Sequence, residues 1–197
     1  MAIVVEHEKR KQEILEKSLD VFVEEGYEDA TFQKIADRCG ITRTTLYIYF
    51  HNKREIFLCS IKQLLSNLEV SLLELVADDS ESAKEKLKKT ITLVLEECLA
   101  NKKLFNVLLE YLLQLKKSGV DTNTRVLRRV IKLRHILSSI IIKGIQSNEF
   151  KNLNVHEIND VIYALIETYI FRMTLLNQDD LTEYLNTINL TLEKFCK

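Results

Sequence analysis

A chain of 197 residues is long enough for one sizeable domain, or for a small domain joined to a larger one, and it can bury a core without disulfide or metal staples. It has no proline and four glycines, where ordinary usage is about 5% and 7%; Leu, Ile, Lys and Glu dominate instead, which favours long helices. A net charge of −1 excludes a general nucleic-acid coat, but residues 31–62 carry six basic and two acidic side chains, so positive charge is concentrated in one short stretch.

Residues 9–25 place Ile14, Leu15, Leu19, Phe22 and Val23 on one side and Lys, Glu and Asp on the other, which predicts an amphipathic helix stopped at Gly26 in the left-handed conformation. Thr31 opens a second, short helix whose Phe32, Ile35, Ala36 and Cys39 recur at helical spacing, and Gly40 ends it. Thr42 is a good N-cap for a third helix, Arg43 to Tyr49, which carries Leu46 and Phe50 on one side. Asn52 and Glu55 form a capping pair that opens a long helix through Ile56, Phe57, Ile61, Leu64, Leu65 and Leu68. Further helices are predicted near 82–100, 103–117, 123–147, 155–177 and 180–196, separated by polar breaks, with no competing strand pattern or repeat. The expected fold class is all-α, with a small N-terminal domain over residues 1–55 and a larger helical domain over 56–197.

Cys39, Cys59, Cys98 and Cys196 are scattered singly, with no CxxC pair and no His at metal-ligand spacing, so they read as reduced cytosolic thiols and no metal or cofactor is expected. Met1 to Lys11 has charged residues where a secretory signal needs an apolar stretch. Runs such as Ile140 to Ile142 fall far short of the about 20 apolar residues that cross a bilayer, so a cytoplasmic protein with no membrane partner is expected.

Residues 31–50, TFQKIADRCGITRTTLYIYF, have the parts of a helix-turn-helix: inward apolar positions at Ile35, Ala36, Ile41 and Leu46, a glycine turn, and Arg43, Thr44 and Thr45 on the exposed first turn of the second helix. Arg can take guanine with two hydrogen bonds, and Thr can offer a hydroxyl or a methyl to a base edge. Together with Gly26-Tyr27 before this segment and Phe50-His51-Asn52-Lys53 leading into Glu55 and Ile56 after it, the sequence resembles the TetR/AcrR family of transcriptional regulators over about residues 9–60. The resemblance implies phosphate contacts from Thr31, Tyr47, Tyr49 and Lys53, and base contacts from Arg43, Thr44 and Thr45. Thr44 departs from the small Gly or Ala common at its position, so a target sequence cannot be carried over. A lysine at a helix N-terminus works against the helix dipole, which gives Lys53 a reason to meet a phosphate.

The last two predicted helices are apolar over more than one face, from Val155 through Met173 and from Leu181 through Phe195, which calls for deep burial or a partner. The resemblance implies the second, a homodimer on a near-palindromic operator, with Val161, Leu165, Tyr169, Leu185, Ile188 and Leu192 as the candidate interface. Residues 122–148 hold Arg125, Arg128, Arg129, Lys132, Arg134 and Lys143 and no acidic residue, which suits either a solvated face or an anionic ligand. Phe105, Glu110, Tyr111, His135, Tyr163, Glu167 and Tyr169 stand in apolar surroundings and are candidates for the pocket of a largely apolar small-molecule effector, whose release of the operator would make the protein a repressor. A helical metalloenzyme is disfavoured, since none of His7, His51, His135 and His156 has Glu three residues before it and there is no HExxH or glycine-rich phosphate loop. Control by a partner protein, or activation in place of repression, stays open at this level.

Overall fold

The structure is a computed structural model that describes residues 2–78, 80–119 and 123–197, and the side chains of 5–78, 80–119 and 132–197. The described helices are α1 (Ala2–Asp29), α2 (Phe32–Cys39), α3 (Arg43–Tyr49), α4 (Lys53–Ala77), α5 (Ala83–Ala100), α6 (Lys102–Lys117), α7 (Asn123–Gln146), α8 (Val155–Leu175) and α9 (Leu181–Phe195). Among the described residues the only extended pairing is the isolated bridge between Phe150 and Cys196. The fold class is all-α, as the periodicity predicts.

The chain divides into two compact units: Met1–Asn67 with Lys103–Ser118, and Leu68–Lys102 with Gly119–Lys197. A cut at 55/56 therefore differs from the packing. The first unit also takes most of α6, because Leu104, Val107 and Tyr111 are buried in the same cluster as Ile14, Phe22, Ile35, Leu46, Phe50 and Phe57. The Tyr111 ring lies 4.5 Å from Tyr27 and 5.1 Å from Phe57, and side chains 84 residues apart in sequence are not joined by any local pattern.

Local chemistry sets the helix ends in this unit. Thr31 caps α2 by accepting the Lys34 N–H at 3.2 Å, and Thr42 caps α3 by accepting the Thr45 N–H at 3.0 Å. Gly40 is left-handed (φ 66), so its N–H reaches the Asp37 carbonyl while that of Ile41 reaches Ala36, which satisfies the last carbonyls of α2. Asn52 accepts the Glu55 N–H at 2.9 Å, and the Glu55 carboxylate accepts from His51 N, one residue earlier than a capping box requires. α1 runs past both ends of the expected 9–25, from Ala2 to Asp29, and Gly26 kinks it. Gly26 has φ 78 with ψ 169, so the positive φ is as expected but the extended ψ is not that of a left-handed cap.

The second unit packs α5, α7, α8 and α9. Leu87, Ile91, Val94, Leu95 and Cys98 of α5 meet Leu137, Ile140 and Ile141 of α7 and Ile158, Ile162, Ile166, Tyr169 and Met173 of α8 in a buried core, with Tyr184, Ile188 and Leu192 of α9. Burial pushes the Cys98 thiol up to about 12 and raises that of Cys39, which suits inert core cysteines. Lys151 N donates to Phe195 O at 2.9 Å and Lys197 N to Glu149 O at 3.1 Å, so the C-terminus is hydrogen-bonded to the α7–α8 turn. A Cβ on Gly144 would fall 2.3 Å from the Phe150 ring, so this turn closes only over glycine. One described helix, α4, is by length and composition apolar enough to cross a bilayer, although no unbroken apolar run in it is that long. Its Ile56, Phe57 and Leu72 are fully or almost fully buried in packing contacts, while Val70 and Leu73 are exposed and 22% of its apolar window is buried in all.

Candidate nucleic-acid interface

α3 exposes Arg43, Thr44, Tyr47 and Ile48, buries Leu46 with Phe50 just beyond it, and keeps Thr45 and Tyr49 half-buried. The inward pair anchors the helix in the first unit's core and leaves a polar face, with one aliphatic exception, turned to solvent. The Arg43 guanidinium donates to the Tyr47 hydroxyl at 3.2 Å and lies 5.7 Å from the Tyr47 ring centroid. Tyr47 in turn stacks on Phe32 of α2 at 4.6 Å. Arg43 is thus pre-oriented by a ring that the first helix of the motif holds in place.

The other predicted contacts divide into available and occupied groups. Thr31 is exposed, but its hydroxyl oxygen serves the α2 cap. The Thr45 hydroxyl is 2.8 Å from that of Thr42, inside the α3 cap, so Thr45 is a cap residue before it is a base reader. Tyr49 stacks on His7 of α1 at 4.6 Å. The Lys53 ammonium donates to the carbonyls of Tyr27 at 2.8 Å and Glu28 at 2.6 Å, and sits 4.8 Å from the Tyr27 ring. Two of its three donors are therefore spent on the end of α1, which offsets its unfavourable place at the start of α4, and one is left for a phosphate.

The concentration of positive charge is also more local than composition suggests. Lys34 is paired with Glu25 and Arg38 with Glu24, both across to α1, and the Arg38 guanidinium holds the Glu24 carboxyl below its ordinary range. Arg54 donates to the Tyr111 hydroxyl at 3.0 Å. Sequence reasoning missed these pairings because the partners lie 9 to 57 residues away. It also missed Ile48, which is 68% exposed, although helical spacing from Thr44 was enough to find it.

The effector candidates separate. Phe105, Glu110 and Tyr111 lie on the part of α6 that clusters with the first unit, where Tyr111 is a core aromatic and Glu110 lines an open surface cleft of about 280 Å³. His135, Tyr163 and Glu167 belong to the second unit; His135 and Glu167 are exposed. Tyr163 is half-buried with the Arg134 guanidinium 4.5 Å from its ring, and burial pushes its phenol up to about 12. Arg134 also pairs with Asp160, which holds that carboxyl below its ordinary value, and His156 lies 3.0 Å from Asp160 on the far side. Of the basic run on α7, Lys132 pairs with Glu69 at 2.7 Å, while the side chains of Arg125, Arg128 and Arg129 lie outside the described residues.

The candidate interface residues also divide. Tyr169, Ile188 and Leu192 are buried inside the protomer, on the stripe that α8 and α9 turn to their own core. Val161 is exposed and Leu165 and Leu185 are half-buried; the outward apolar surface further includes Phe171, Leu175, Leu176 and Leu190. Both faces of these helices are apolar in sequence, so periodicity alone does not say which one turns inward.

Residues 14–58 match the model of the bacterial regulatory proteins of the tetR family. The chain is 26% identical over 156 residues to the fatty acid metabolism regulator protein of Bacillus subtilis, covering 79% of this chain and 78% of that one. It is 34% identical over 61 residues to the transcriptional activator FasR of Mycolicibacterium smegmatis, which covers 31% of this chain and 28% of FasR. Among solved structures, FadR of Bacillus subtilis in complex with stearoyl-CoA superposes with a TM-score of 0.74 at 25% identity over 91% of this chain and 96% of that one. A TetR regulator from Haloarcula marismortui shares the fold with a TM-score of 0.80 at 20% identity, over 96% and 97% of the two chains. The helix-turn-helix with its two threonine caps, the exposed face of α3 headed by Arg43 and these likenesses agree: residues 14–58 form a TetR-family DNA-binding region, and the chain is a ligand-responsive, DNA-binding transcriptional regulator.

Proposed function

We propose that the protein is a cytoplasmic repressor that binds a near-palindromic operator as a homodimer and leaves it when an amphiphilic effector, a long acyl chain on an anionic thioester head, occupies the second unit. In this reading Arg43 and Thr44 read bases, with Thr45 behind them in the cap, while Thr31, Tyr47, Tyr49 and the remaining donor of Lys53 position the protein on phosphates. Two-fold symmetry is needed because one seven-residue helix spans too few base pairs to be specific. The exposed Val161, Phe171, Leu175 and Leu190 on α8 and α9, with half-buried Leu165 and Leu185, supply an apolar surface for the partner copy.

The observation that carries the effector class is the extent of the likeness. The relative called a fatty acid metabolism regulator aligns over 78% of its length, and the structure bound to stearoyl-CoA superposes over 91% of this chain, well beyond the DNA-binding motif. The acid-free run of α7 agrees with an anionic head. FasR, named an activator, aligns over 61 residues only, and those do not set the sign of regulation.

Release requires the effector to prefer the DNA-incompetent state. A ligand that binds both states equally shifts nothing, however tight it is. The test is titration of stearoyl-CoA, coenzyme A and stearate into a complex of the protein with an operator duplex labelled for fluorescence anisotropy. Release by stearoyl-CoA alone is expected; stabilisation of the protein against heat without any release would overturn the coupling, and no effect of any of the three would favour control by a partner protein.

A further inference from the structure

The outward face of α3 is two residues wide, and its four exposed positions fall into two columns of four-residue spacing. The first column is Arg43 and Tyr47, joined by their 3.2 Å hydrogen bond, and it is polar. The second is Thr44 and Ile48, two β-branched side chains that present methyl groups and a single hydroxyl.

A solitary exposed apolar residue is ordinary on a protein surface. Two features set Ile48 apart. Isoleucine is a weaker helix former than the unbranched residues, so at 68% exposure on a seven-residue helix it adds neither core packing nor propensity. In the reading above it also stands on the element that enters the major groove, where the one apolar group on any base edge is the C5-methyl of thymine. We propose that Ile48, flanked by the Thr44 methyl, is a specificity-determining residue that reads thymine methyl groups, while the Arg43 column reads a hydrogen-bonding edge. This rests on α3 being the reading helix. It divides the face by chemistry: the polar column selects by bond direction, the aliphatic column by whether a methyl is there to exclude water. Burying one methyl corresponds to about a threefold to fourfold change in affinity.

Duplexes selected from a random-sequence pool by the full-length protein supply the probe, and each thymidine in the selected duplex is replaced singly by deoxyuridine, which deletes the C5-methyl and leaves base pairing intact. The wild-type protein is expected to lose about threefold to fourfold in affinity at one or two thymines per half-site. Ile48→Ala is expected to bind the unmodified duplex more weakly by a similar factor and to ignore those substitutions, with Ile48→Val in between. Because Ile48 packs against nothing in the core, both variants keep the wild-type melting temperature. Indifference of the wild type to uracil at every position, or undiminished uracil sensitivity in Ile48→Ala, would overturn the assignment. Arg43→Ala separates the two levels: if it shifts the selected sequence while Ile48→Ala changes nothing, the methyl assignment alone fails. If neither alters the selected sequence, α3 is not the reading helix and both fail.

Discussion

The two units of this protein put the same kinds of residue to different uses. In the first, Leu46 and Phe50 point inward and Arg43, Thr44, Tyr47 and Ile48 outward, so helical spacing from one buried residue assigns every position on α3. In the second, α8 carries apolar residues on both sides: Ile158, Ile162, Ile166, Tyr169 and Met173 go inward, while Val161, Phe171 and Leu175 stay outside. A short helix with one apolar edge declares its orientation. A long helix that must satisfy its own core and also offer an apolar outer surface does not.

The largest effect that tests this contrast is at Leu46. Fully buried Leu46→Ala is expected to cost about 2–5 kcal/mol of stability in urea unfolding and to abolish operator binding, whereas Ile48→Ala, on the opposite side of the same helix, should leave the urea midpoint in place. Equal destabilisation by both would mean that α3 does not have the two-sided character described. Next comes the outer surface of the second unit. Replacing Leu175 and Leu190 together by glutamate should weaken self-association and operator affinity by about tenfold or more with little change in the melting of the isolated protomer, because both side chains are exposed. Unchanged sedimentation as a dimer would move the interface elsewhere.

The smallest effect sharpens a single side chain. Lys53→Met keeps the aliphatic stem and removes the ammonium that bonds the Tyr27 and Glu28 carbonyls. A stability loss of about 1–2 kcal/mol is expected, accompanied by a salt dependence of operator binding that flattens by about one counterion. A flatter slope with no loss of stability would return Lys53 to a pure phosphate contact.

Capping threonines, the Gly40 turn and the buried spacing of α2 and α3 were legible in sequence because each is an interaction within five residues. The clamp of Lys53 on the end of α1 was not, although the position itself was singled out: its acceptors are 25 and 26 residues away. The same holds for the pairs that neutralise Lys34 and Arg38. Tyr111 was noticed as an aromatic in apolar surroundings, but nothing nearby in sequence says that those surroundings belong to Tyr27 and Phe57. Tyr169 likewise qualified equally for a pocket, an interface or a core, and only the packing of α8 on α5 and α7 settles that it is core.

The separation of the two sides of α3 also bears on how such a regulator diverges after gene duplication. The inward residues hold the fold, and of the outward four only Tyr47 packs on it, through its stack on Phe32, so mutations at 43, 44 and 48 can accumulate without first passing through an unfolded ancestor. Arg43 and Tyr47 touch each other and must change in step, which slows drift in that column. Ile48 has no hydrogen-bonding group to share with Thr44, so these two can be exchanged one at a time. Copies of this chain would therefore acquire new operators first through the aliphatic column, with the arginine retained as an inherited anchor.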